Sequence, residues 1–186
     1  MDAELVVRAQ DGDREAFAAL ARGTYSRLFR VAHNILGDAD RADDASQQAV
    51  VDIWRKLPQL REARRFEAWS YRILVNACYA EARKARRWLP GLMPECDEDK
   101  GAAKAISGVL YRDQLERGFC RLPVEQRAVV VLHHYLGLPL HEVADVLDIP
   151  QGTAHSRLHR AMASLRAALE ADDRMPDAEA SPEKAR

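Results

Sequence analysis

The stretch from Gly137 to Leu169, GLPLHEVADVLDIPQGTAHSRLHRAMASLRAAL, constrains this chain more than any other. Its spacing predicts a short helix over about Leu140 to Leu147, with Val143, Ala144 and Leu147 on one side. Asp148-Ile149-Pro150 must break that helix, because proline has no N–H to continue it and pushes the preceding residue out of helical geometry. Gln151-Gly152-Thr153 then opens a longer helix, whose apolar residues Ala154, Leu158, Ala161, Leu165 and Leu169 recur at steps of four, three, four and four. Two helices with a tight turn between them are the expected product.

At about 100° per residue, Gly152, His155, Ser156, His159, Arg160 and Ala163 fall opposite the apolar stripe, with Arg157 on its flank. This outer face carries basic and hydroxyl groups and no carboxylate. It starts at a helix N-terminus, which attracts anions. Donors for phosphates and base edges, with small residues for close approach, are what a helix in a DNA major groove requires. The bland alternative is an amphipathic hairpin with a solvated polar face.

The rest of the chain predicts an all-α protein. Strand-like alternation is missing, and alanine, leucine, arginine and glutamate dominate. The formal net charge is −1, so any attraction to nucleic acid must be local. No apolar run approaches the ~20 residues of a membrane span, and no signal peptide opens the chain. Cys78, Cys96 and Cys120 are widely spaced, with no CxxC, and read as buried or incidental thiols in a reducing cytoplasm.

Taken in order, a first helix is expected over Asp2 to Gln10 and a second from an Asp13 cap to about Leu36, stopped by Gly37. Asp38 caps a third, with Ala42, Ala45, Ala49, Ile53 and Leu57 on one stripe and Pro58 as its end. Outside that stripe lie Asp44, Gln47, Gln48, Asp52 and Arg55. Such a face usually meets water, and the functional alternative is a docking surface for a partner helix. A polar loop with Arg61, Arg64 and Arg65 leads to a fourth helix over about Phe66 to Arg87. Its core stripe is Phe66, Trp69, Ile73, Ala77 and Ala80, and Arg72, Asn76, Tyr79, Arg83 and Arg86 share another face. From Arg61 to Arg87 there are eight Lys/Arg against three Glu, and basic residues with interleaved aromatics suit single-stranded nucleic acid. Tyr71 and Tyr79 are the expected stacking rings.

Pro90, Gly91, Pro94 and the acidic run Glu95 to Asp99 mark a flexible linker, able to cover a basic surface when DNA is absent. A fifth helix is expected over Ala105 to Arg121 and a sixth over Pro123 to Leu136, the latter carrying Val129, Val130, Leu132 and Tyr135. The acidic tail after Glu170 reads as disordered.

Two blocks match one family in the right order. The first comprises Ala16-Phe17, Arg27 to Ala32, Leu36 to Ala39, Asp43-Asp44 with Gln47, Trp54, Phe66, Ala68-Trp69, Tyr71 to Ile73 and Asn76. The second comprises Leu122-Pro123, Glu125 to Arg127, Gly137-Leu138, Glu142 to Ala144, Leu147, Ile149-Pro150, Gly152-Thr153 and Ser156 to Ala161. The chain resembles a bacterial extracytoplasmic-function (ECF) RNA polymerase sigma factor, of the minimal type with regions 2 and 4 only.

The resemblance implies two small helical domains. Region 2 spans 1–87, a linker 88–104, region 4 with its helix-turn-helix 105–170, and a disordered tail 171–186. It implies a promoter-directing subunit rather than an enzyme. Its partners would be core RNA polymerase (β′ clamp helices and β flap), promoter DNA and an anti-sigma factor, whether membrane-bound or not; no cofactor, metal or small-molecule substrate is expected. Asp44, Gln47, Gln48, Asp52 and Arg55 would dock on core polymerase. Arg61, Arg64, Arg65, Arg72, Asn76, Tyr79 and Arg83 would melt and hold the −10 element, a pocket for an unstacked base offsetting an opening cost of a few kcal/mol. Thr153, His155, Ser156, Arg157, His159 and Arg160 would bind the −35 element, Thr153 and Arg157 through the backbone.

Some positions depart from the family pattern. Ala154-His155 stands where the family often has Val-Lys or Val-Arg, and histidine gives a weaker, more pH-sensitive pull on phosphate than lysine. Gln48 replaces a usual acid, and Ala80 a frequent aspartate. Two other classes compete. A repressor or activator using the C-terminal helices alone would need neither the basic-aromatic segment nor the docking helix. A metal-dependent hydrolase is suggested distantly by His141-Glu142 with Asp145, but the fourth residue after His141 is Asp145, not histidine.

Overall fold

The computed structural model describes residues 3–88 and 115–172. The expected linker after Trp88, which itself ends a helix, the expected start of the fifth helix and the tail from residue 173 lie outside them.

Helix α1 spans Ala3–Gln10 and α2 Arg14–Leu36. The Asp13 carboxylate caps α2 by accepting from the N–H groups of Glu15 and Ala16, each at 3.0 Å. Gly37 closes it in the left-handed region at φ 71°, its N–H donating to the His33 carbonyl. Asp38 caps α3 (Ala39–Lys56) through the Arg41 N–H at 2.9 Å. The stripe expected on α3 is its buried face: Ala42, Ala45, Ala49, Ile53 and Leu57 are all buried. Small residues there let α2 and α4 approach closely. A 3₁₀ turn at Leu57–Gln59, held by Pro58, and another at Ala63–Arg65 carry the chain to α4 (Phe66–Trp88).

Residues 115–120 form α5. Helix α6 spans Val124–Val130. The sixth helix differs from expectation past Val130, where Val131–Tyr135 form a π-helical turn. Its widened loop brings the Leu136 N–H to the Val131 carbonyl at 3.1 Å. Tyr135, counted with the apolar residues, is turned outward and is 51% exposed. Helix α7 (Leu140–Leu147) ends at Asp148, which takes the left-handed conformation at φ 54°, and α8 runs over Gln151–Asp172. Aspartate tolerates that conformation better than most residues, so the turn needs no glycine. Val143, Ala144 and Val146 of α7 are buried with Ala154 and Ala161 of α8.

Helices α1 to α4 form one helical body and α5 to α8 a second. Leu122, Ala161 and Leu165 make a small core of the second, joined by Phe119 and Val130. A Cβ at Gly118 would stand 3.1 Å from the Ala168 Cβ, so α5 meets α8 at close range there. The main core crosses between the bodies: Val129, Leu132, Val143 and Val146 are buried in one cluster with Leu28, Val31, Ile35, Leu74 and Val75. Burying a valine or leucine side chain fully is worth roughly 1.5–3 kcal/mol.

Two expectations about side chains fail. Tyr71 is a core residue at 3% exposure, with the Arg27 guanidinium 5.5 Å from its ring centroid, and burial pushes its hydroxyl up to about 12. It sits one position off the α4 outer face and so turns inward. Cys78 is a buried free thiol as expected, but Cys120 is disulfide-bonded.

Candidate nucleic-acid and polymerase interfaces

The candidate residues fall on three surfaces. On α8, the first turn is closed by the Pro150 carbonyl, which accepts from the N–H groups of Thr153 and Ala154 at 2.8 and 3.2 Å. His155, His159 and Arg160 are exposed, while Thr153, Ser156 and Arg157 are half-buried. The Ser156 hydroxyl donates to the Thr153 carbonyl at 3.0 Å, a bond within the helix that leaves its acceptor lone pairs available.

The second surface is α4 with the loop before it. Arg61, Arg64, Arg65, Arg72, Asn76 and Arg83 are exposed. Glu62 holds Arg64 at 3.0 Å and Arg65 at 3.4 Å, and Arg64 leads Arg65 in keeping its carboxyl below the usual range. Gln10 fixes the loop's base by donating to the carbonyls of Leu57 and Leu60 at 3.1 and 2.6 Å. Tyr79 is half-buried; burial pushes its hydroxyl up to about 12, against the opposing charge of Arg157.

The third surface is α3. Asp44, Gln47, Gln48 and Arg55 are exposed and Asp52 is half-buried. Gln47 donates to Asp43 at 2.6 Å and Gln48 to Asp52 at 3.2 Å, an i,i+4 ladder that orders the amides. The Tyr25 hydroxyl also donates to Asp43, tying α2 to this face. Val51 and Trp54, at 42% and 41% exposure, form an apolar patch between these polar residues. Neither was singled out as a contact residue from the sequence, although the Gln47, Val51, Trp54 spacing of four and three is helical and visible there.

The fold brings the first two surfaces together. Arg72 of α4 forms an ion pair with Asp148 in the turn before α8, and Arg157 faces Tyr79. The α3 residues form a separate face. Among the described residues, no group of three or more His, Cys, Asp or Glu is placed to hold a metal. No described helix is long and apolar enough to cross a membrane.

Residues 20–88 match the model for Sigma-70 region 2 and residues 112–165 that for Sigma-70, region 4. The ECF RNA polymerase sigma factor SigM of Mycobacterium tuberculosis is 34% identical over 168 residues, covering 88% of this chain and 82% of SigM. The chain belongs to the ECF sigma factor family. It is thus a transcription initiation factor. This sigma factor is also 24% identical to SigW of Bacillus subtilis over 184 residues, covering 88% of the chain and 94% of SigW. Its fold is similar to that of CnrH, solved in complex with the cytosolic domain of CnrY, at 25% identity and a TM-score of 0.66. That likeness covers 92% of this chain and 98% of CnrH.

The three surfaces differ in what their chemistry could bind. A basic helix face with an aromatic tip can track and hold an unpaired strand. A carboxylate-free helix N-terminus can enter a duplex groove. An exposed tryptophan within ordered amides can anchor a protein partner.

Proposed function

We propose that this sigma factor loads onto core RNA polymerase through the α3 face, with Asp44, Gln47, Gln48, Asp52 and Arg55 as contacts on the β′ clamp helices. Region 2, taken as 1–87, then melts and captures the −10 element with Arg61, Arg64, Arg65, Arg72, Asn76, Tyr79 and Arg83. Region 4, taken as 105–170, reads the −35 element with His155, Ser156, His159 and Arg160, while Thr153 and Arg157 hold the backbone. The polymerase performs the chemistry in the cytoplasm, and an anti-sigma factor controls the supply of free chain. CnrH, similar over nearly its whole length, was solved with a second protein bound, which supports control of this kind.

One observation carries the reading: region 2 and region 4 matches occur in order on one chain, and each covers an exposed basic surface. Run-off transcription with core polymerase on genomic templates tests it. New start sites, sharing two sequence elements at fixed spacing, are expected when the chain is added. An unchanged transcript pattern on every template overturns it.

A further inference from the structure

Helix α1 ends on Gln10, whose side chain reaches the chain 47 and 50 residues ahead. Its amide Nε2 donates to the carbonyls of Leu57 and Leu60 at 3.1 and 2.6 Å. A side-chain amide has two N–H hydrogens, and both go to this one turn. The Leu57 carbonyl also accepts from the Leu60 N–H at 3.1 Å, which closes the 3₁₀ turn at Leu57–Gln59. The peptide after Leu60 is planar and trans, so fixing its carbonyl on Gln10 turns the Arg61 N–H away from α1.

Gln10 is itself held in place. Val6 and Ala9 of α1 are buried, and Arg8 ion-pairs with the Asp13 cap of α2 at 2.6 Å. Gly12, at φ 92°, turns the chain between the two helices. Helix α1 also lies against the second 3₁₀ turn, Ala63–Arg65, where Arg64 and Arg65 share the Glu62 carboxylate.

We propose that α1 sets the shape of the arginine loop for strand capture, with Gln10 as its positioning residue. Helix α1 lies before residues 20–88, the part matched to region 2, so a function is given to a segment outside that match. The inference rests on the −10 reading of Arg61, Arg64 and Arg65. Exposed arginines attract any strand by charge, however the loop is shaped. Telling one strand from another needs fixed geometry, because a loose loop must be ordered at each binding event and adapts to several strands alike. Two carbonyls held by one amide on a separate helix supply that geometry. Gln10 therefore governs selectivity, not attraction.

Hydrogen exchange of the full-length chain, read by mass spectrometry over residues 57–65, tests the clamp. Gln10→Leu stays uncharged at similar bulk and removes both donors. It should speed exchange in 57–65 about fivefold and leave α3 and α4 unchanged. Gln10→Glu turns a carboxylate on the two carbonyls and should act in the same direction. Exchange unmoved in 57–65, or raised equally in α3 and α4, overturns the clamp. Selectivity is read on holoenzyme with two single strands: a non-template −10 strand from a start site mapped by run-off transcription, and a scrambled strand of the same composition. Gln10→Leu should lower affinity for the first about fivefold and leave the second, with its salt slope, unchanged. Both strands weakened equally, or neither weakened, overturns the positioning role. Arg61→Ala with Arg64→Ala separates the proposal from the reading beneath it. If that pair weakens strand binding and Gln10→Leu does not, the proposal alone falls; if that pair changes nothing, the −10 reading of the loop falls with it.

Discussion

The rings of Phe17 and Trp54 lie 4.5 Å apart at 59°, so α2 props the tryptophan of α3 from beneath while its outer part stays exposed. A tilted aromatic pair of this kind fixes a side chain at little entropic cost on binding. Trp54 is therefore positioned as an anchor in the α3 face. Trp54→Ala should weaken core polymerase binding at least tenfold, about 1.4 kcal/mol or more, with helical circular dichroism unchanged. Gln47→Ala with Gln48→Ala should act in the same direction. Polymerase affinity that survives all three changes removes α3 as the docking face.

Arg160 is exposed on the carboxylate-free face of α8. An arginine reading a base pair in the major groove carries about 1–3 kcal/mol of discrimination. Arg160→Ala should cost −35 duplex affinity by roughly 5- to 150-fold at that level and leave polymerase binding intact. Affinity of the wild type should also fall linearly on a log–log plot against salt, by counterion release. A duplex affinity equal to wild type would refute the role of Arg160.

The local rules of the fold were legible in the chain. Asp13, Asp38, Gly37 and the Ile149-Pro150 break announce helix ends because caps and breakers act within one turn of their own position. The α3 alanine stripe is legible for the same reason, since a single helix face settles it. What the sequence hid are contacts between helices. Tyr71 lies next to Arg72 in sequence, and only packing against Arg27 decides which of the two turns inward. The buried place of Arg127 depends on α2, which supplies the Leu36 carbonyl. For the candidate surfaces, helical spacing placed the exposed residues of α3, α4 and α8 on their faces. It had no means of placing Asp148 beside Arg72, because periodicity carries no information about which faces meet.

Tyr79 is half-buried on α4, whereas Tyr71 is sealed in the core. Base–aromatic stacking is worth about 1–3 kcal/mol per base. Tyr79→Ala should weaken capture of −10 single strand, and Tyr79→Phe should retain most of it, since the ring rather than the hydroxyl does the stacking. Tyr71→Ala should instead lower the melting temperature. Equal strand affinity in the Tyr79→Ala protein, measured by fluorescence anisotropy, would exclude the ring from the −10 site.

Asp13 joins α1 to α2 and makes stability depend on pH. Its carboxylate accepts from the Ala16 N–H first and from Arg8 second, and both hold its pKa below the ordinary aspartate value. A depressed folded-state pKa adds stability that is fully present above the unfolded-state pKa and disappears as pH falls through the folded one. The wild type should therefore lose urea resistance on going from about pH 5 to about pH 2. Asp13→Asn keeps a cap of similar strength but has no proton to gain. At pH 7 it should be the less stable protein, having lost the Arg8 partner, and its midpoint should move less on acidification. Parallel pH curves for the two proteins would show that the cap is not a titrating element.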